Sequence, residues 1–168
     1  MIPLSTAISG GLTWKKIPHS RNYELKTNGE LVGTLQRTSI WSSSFIAETR
    51  DGAWTFRRTG FLGTRAEVLE AEIPIATFKS AWASRGVLTL TDGQTFHVEC
   101  RGCWHPAWSV TTEDGKLILR IRSRERSVEV PMSSAVNSSR LSLLIMFTWY
   151  RLLQAEEDAA AAAAAIAS

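Results

Sequence analysis

LSLLIMFTWYRLL, Leu141 to Leu153, is apolar on nearly every side of a helix, with only Ser142, Thr148 and Arg151 interrupting. Asn137 or Ser138 just before it can accept a hydrogen bond from a free backbone N–H and so start that helix. A helix apolar all round is buried in protein or in lipid. Length arbitrates between the two. Thirteen residues at about 1.5 Å each span about 20 Å, short of the roughly 20 residues that cross a bilayer. The stretch therefore reads as a core helix at about residues 138–154, and it would fit lengthwise in the lumen of a β-barrel. The alanine-rich segment 155–168 reads as a helical extension or a tail, because alanine is the best helix former.

The rest of the chain supplies the wall. TNGE (27–30), RDGA (50–53), TDGQ (91–94) and EDGK (113–116) place Asn-Gly or Asp-Gly between apolar or alternating runs, with SRGV (84–87) as a weaker signal. Such pairs tolerate the positive φ angles of tight hairpins. Strands are expected at 23–27, 30–38, 44–49, 53–58, 65–73, 75–84, 87–90, 94–100, 107–112, 116–123 and 126–131. This is a meander of about ten or more strands, the pattern of a barrel or sandwich. Residues 1–154 are expected to form one domain.

A long antiparallel meander closing on one apolar C-terminal helix resembles the tubby C-terminal-like superfamily, which includes tubby domains, phospholipid scramblases and LURP-one-related proteins. The residues carrying the resemblance are ELVGTLQR (30–37), DGAWTFRR (51–58), DGQTFHVE (92–99), DGKLILRI (114–121) and the helix at 141–153. It covers roughly Tyr23 to Gln154 and is closest to small, uncharacterised prokaryotic-type members. The resemblance implies a closed antiparallel barrel of about twelve strands around a central hydrophobic helix. It also implies contact with phosphoinositide or other anionic lipid head groups through basic residues. The scramblases' calcium binding has no counterpart here, since no D-x-D-x-D-G loop occurs.

Net charge is +3, and the acids Glu156, Glu157 and Asp158 lie beyond the expected domain, so residues 1–154 carry +6. A basic body favours anionic partners. The N-terminal MIPLSTAISGGLTWKK lacks a basic region and a long apolar run, so no secretion signal is expected. Two cysteines cannot build a disulfide framework. A cytoplasmic location, with peripheral membrane contact, is the expectation, without a transmembrane span.

FHVECRGCWH (96–105) sets two cysteines in a C-x-x-C spacing near two histidines. Cys100, Cys103 and His105 are weak metal candidates, with His97 as a fourth. Strand parity argues against zinc: Phe96, Val98 and Cys100 face the core while His97 and Glu99 face outward. Structural zinc sites also usually join two separated segments. Haem attachment needs C-x-x-C-H, and Trp104 intervenes. A redox dithiol belongs at a helix N-terminus, whereas here Pro106 and a strand follow. The motif reads as a barrel loop, and no cofactor is expected.

KLILRIRSRER (116–126) is the most directional feature. As a strand it sets Leu117, Leu119 and Ile121 on one face and Lys116, Arg120, Arg122, Arg124 and Arg126 on the other, broken only by Ile118. Same-face residues lie about 6.6 Å apart, a pitch at which guanidinium forks can engage successive phosphates. The bland alternative is a solvated outer face. Nucleic acid is the less favoured anion. Arg57, Arg58 and Arg65 form a second basic group that would join the row if the fold made them adjacent. No G-x-S-x-G elbow, P-loop or Rossmann glycine pattern occurs, and no catalytic residue is expected. Two rival readings stand beside lipid contact. One is an open lipocalin-like barrel with the helix outside and Trp54, Trp82 and Trp108 lining an apolar pocket. The other is an adaptor for an unidentified protein.

Overall fold

The computed structural model describes residues 1–39, 44–60, 64–82, 84–102, 104–131 and 136–166, with the backbone alone at Trp82. A short helix α1 (Leu4–Ala7) and a turn of 3-10 helix precede twelve strands: β1 (Leu12–Lys16), β2 (Tyr23–Thr27), β3 (Glu30–Arg37), β4 (Phe45–Thr49), β5 (Gly52–Thr59) and β6 (Arg65–Glu70), then β7 (Ile73–Trp82), β8 (Arg85–Leu90), β9 (Thr95–Arg101), β10 (Ala107–Thr112), β11 (Leu117–Arg122) and β12 (Ser127–Glu129). The chain closes with helix α2 (Ser138–Ile166). Every strand pairs antiparallel with its sequence neighbours, and β1 pairs with β12 to close the barrel. Among the described residues, closure thus gives each strand a partner on both sides, which discourages pairing by another chain.

Helix α2 fills the lumen. Leu141 through Gln154 are all buried, and at about 1.5 Å per residue they run about 21 Å along the barrel. Successive side chains, about 100° apart around the axis, meet different sectors of the wall. Phe147 packs on Phe56 and Phe78, and Trp149 stacks on Trp14 at 4.7 Å. Tyr150 meets Phe45 and Phe56. This is why the helix needs no polar face. Trp54 and Trp108 are buried in the same core, so the open barrel with its helix outside and a tryptophan-lined pocket is corrected. The side chain of Trp82, the third tryptophan of that reading, lies outside the described residues.

The Asn-Gly and Asp-Gly turns all fall at one end of the barrel, the turn end, because they join β2 to β3, β4 to β5, β8 to β9 and β10 to β11. At Asn28 and Gly29 both φ angles are positive, 47° and 86°, as a tight two-residue hairpin requires. Helix α2 starts at this end. Asn137 is its cap, its Oδ1 accepting the N–H of Arg140 at 2.8 Å. Arg140 in turn donates to Asp92 and Gln94 in the β8–β9 turn, each at 2.6 Å.

Two strand expectations are corrected. The run 65–73 is not one strand: it breaks at a turn where Ala71 and Glu72 take φ of 46° and 65° without a glycine or asparagine. LTWKK is a strand that the turn signals did not reveal, and it completes the closure. Helix α2 continues past residue 154 to Ile166, so of the two readings of the alanine-rich segment, extension or tail, the described residues form the extension.

A candidate anionic-ligand surface on the β10–β11 wall

The basic stretch at 116–126 does not form a single row. Val110 pairs with Leu119 and Thr111 with Leu117, so Ile118 is an extra residue bulging β11. A bulge changes the side-chain alternation. Ile118, Leu119 and Ile121 are therefore all buried, and Arg120 and Arg122 point out. Lys116 precedes the bulge at the turn end, in a cleft of about 950 Å³ with Asp92, Asp114 and Arg140. From Lys116 to Arg122 the strand covers about 20 Å, so Lys116 is remote from the rest.

At the opposite, exit end, Arg120, Arg122 and Arg124 line one cleft of about 410 Å³ with His105, Pro106, Ala107 and Glu125. Its floor is held by backbone pairing: Ala107 is opposite Arg122, and the Ser123 N–H donates to the Pro106 carbonyl at 3.1 Å. Arg122 is partly answered. Its Nε donates to Glu129 at 2.7 Å and lies 3.9 Å from Glu125, and Glu129 holds the guanidinium above its ordinary pKa. Arg120 and Arg124 make no ion pair among the described residues. Arg126 leaves the group. It takes φ 52° and its charge faces Tyr23 and Glu156 at the mouth of the barrel.

The second basic group does not join the first. Strands β5 and β11 are six places apart in a ring of twelve, on opposite sides of the barrel. Arg57 pairs with Glu67 at 3.1 Å, and Arg58 grips Asp158 with both terminal nitrogens at 2.9 and 3.0 Å. Arg37 meets Glu157 at 2.7 Å. The acids 156–158, about 100° apart around the helix, thus face arginines from three sectors of the exit rim. Just inside, buried Arg151 donates to Gln154, which donates to the Tyr150 hydroxyl, both at 2.6 Å. Arg151 also lies over the Phe78 ring, 4.6 Å from its centre. Burial pushes the Arg151 pKa down and the Tyr150 pKa up.

Cys100 is half-buried against the core, and burial raises its thiol pKa. His97 points outward, as parity requires, and His105 is exposed. Cys103 lies outside the described residues. Among the described residues no group of three or more His, Cys, Asp or Glu side chains is disposed to hold a metal ion.

Sequence reading missed Trp104. In the sequence it figured only as the residue that breaks the haem spacing, yet Trp104 is 90% exposed. Its position between Gly102 and Pro106, outside any strand, was the available signal. Among the described residues, no helix is long and apolar enough to cross a membrane.

The architecture defines a class: a closed twelve-stranded antiparallel meander threaded by its own C-terminal helix. Compared with protein-family models, curated proteins and solved structures, the chain matches none.

Proposed function

We propose that the protein is a non-catalytic binding module that contacts anionic phospholipid head groups at a membrane surface through Arg120, Arg122 and Arg124. One observation carries this reading: Arg120 and Arg124 stand on an outward face without an ion pair among the described residues, flanking Arg122 in one shallow cleft. Guanidinium forks suit phosphate oxygens. The resemblance to tubby-like barrels, whose basic residues engage lipid head groups, points the same way. A lumen filled by Leu141–Gln154 disfavours a small-ligand carrier.

Each basic residue near an anionic leaflet contributes about 1 kcal/mol. Replacing Arg120, Arg122 and Arg124 with Ser is expected to weaken co-sedimentation with phosphatidylserine-containing vesicles by roughly ten- to hundredfold at low salt. High salt should weaken the unaltered protein similarly. Absence of binding to such vesicles at low salt would refute the reading.

A further inference from the structure

We infer that Trp104 is the interfacial anchor of the β9–β10 loop, inserting its ring into the head-group layer of an anionic bilayer beside the arginine cleft. The inference rests on the lipid reading above and adds a depth-setting residue to it. A lone exposed apolar ring is common on protein surfaces. Trp104 differs in its company. It is the most exposed large apolar residue described, at 90%, one residue from His105 and two from Pro106, which line the cleft with Arg120 and Arg124, both without an ion pair among the described residues.

The loop presents the ring rather than burying it. Gly102 takes φ 93°, and a Cβ there would sit 2.7 Å from the His105 carbonyl oxygen. The His105 carbonyl thus lies against Gly102, and Trp104 stays exposed beside it. Arg101 at the loop's base is also exposed and pairs with its own-strand neighbour Glu99, at 2.8 Å. An amphipathic indole flanked by arginines matches the chemistry of the bilayer interface, where an apolar body and a polar N–H are both satisfied. Basic residues alone recognise the surface charge; the ring adds an apolar contribution that salt does not screen.

The extension of α2 emerges from the same end and runs about 18 Å past residue 154. That disfavours an end-on approach by a flat surface and leaves the side of the rim, where the arginine cleft is lined by His105, the residue after Trp104.

The test uses the full chain with Trp41 and Trp82 changed to Phe, so that the remaining tryptophans other than Trp104 are buried ones. It is mixed with phosphatidylserine–phosphatidylcholine vesicles whose phosphatidylcholine carries bromine on its acyl chains. Bromine should quench the background protein and leave its W104F derivative unquenched. W104S should bind roughly tenfold more weakly, keep its salt sensitivity, and melt at the unaltered temperature. If binding is salt-sensitive and needs the arginines, yet W104S binds as tightly as the parent or bromine quenches W104F equally, the anchor is overturned and the lipid reading stands. If nothing binds, both are overturned and the face is left to a protein partner.

Discussion

The Asp51 carboxylate accepts the Ser142 hydroxyl at 2.8 Å, joining the β4–β5 turn to the first turns of the central helix across 91 residues. The same carboxylate accepts the Ser138 hydroxyl at 3.0 Å and the Leu4 N–H at 3.3 Å. Its backbone carbonyl accepts the Ser139 hydroxyl. One side chain therefore ties wall, helix and N-terminal segment at the turn end. Hydrogen bonds to charged groups contribute about 1.5–3 kcal/mol each, and bonds sharing one acceptor do not add fully. D51A is expected to cost about 3 kcal/mol in urea unfolding, and S138A about 1 kcal/mol. Equal effects for the two variants would show that the carboxylate is not the hub.

Gly33 marks a close approach of wall to helix. A Cβ there would lie 2.9 Å from Met146 Cε and 2.9 Å from the Glu48 carbonyl oxygen. The methionine tip can move, but the neighbouring strand's backbone cannot. G33A should lower stability by about 1–3 kcal/mol, read as a shift in denaturation midpoint with an unchanged slope.

The turn at Ala71 and Glu72 asks two side-chain-bearing residues to take positive φ. Asparagine and glycine adopt that geometry readily. A71N/E72G should stabilise the protein by about 0.5–1 kcal/mol, raising the thermal midpoint without altering the circular dichroism spectrum. A lower midpoint would mean that the native turn is not strained.

Asp92 sets an acid dependence. The Gln94 backbone N–H, and then the Arg140 guanidinium, hold its carboxyl below the usual carboxylate range. A depressed folded value contributes stability that is present above the unfolded pKa and lost as pH falls through the folded one. The stability gap between the native chain and D92A should therefore be widest above the ordinary carboxylate value of about 4 and shrink over the acid range below it. A gap constant across that range would disprove the coupling.

Burial raises the Cys100 thiol pKa, so its thiolate fraction near neutral pH lies below that of a free cysteine. In a C103S background, alkylation of Cys100 should be slower than that of glutathione at pH 8 and should accelerate as pH rises further. Alkylation as fast as the free thiol would show that the residue opens to solvent.

The helix and most of the wall were legible in the sequence because both follow from local rules. Leu141–Leu153 has no polar face, so it had to be enclosed, and its length argued against a bilayer. The Asn-Gly and Asp-Gly turns announced themselves through the φ angles they permit. Strand parity placed Phe96 and Val98 inside and His97 outside. What failed locally had a physical cause. The Ala71–Glu72 turn has no turn residues, and β1 joins its main partner β2 through residues 17–22, which hold no Asn-Gly or Asp-Gly pair.

The candidate surface was decided by tertiary structure. A run of alternating arginines determined that an outward basic face exists, because side chains alternate along any strand. It could not determine which arginines keep an unanswered charge. The bulge at Ile118 separates Lys116 from the rest, and Glu129 from the next strand answers Arg122. The emerging helix presents Glu156 to Arg126, and closure into a ring of twelve carries Arg57 and Arg58 to the far side. Pairing of charges depends on neighbours brought together across strands, and those distances are written in the barrel's register, not in the order of its residues.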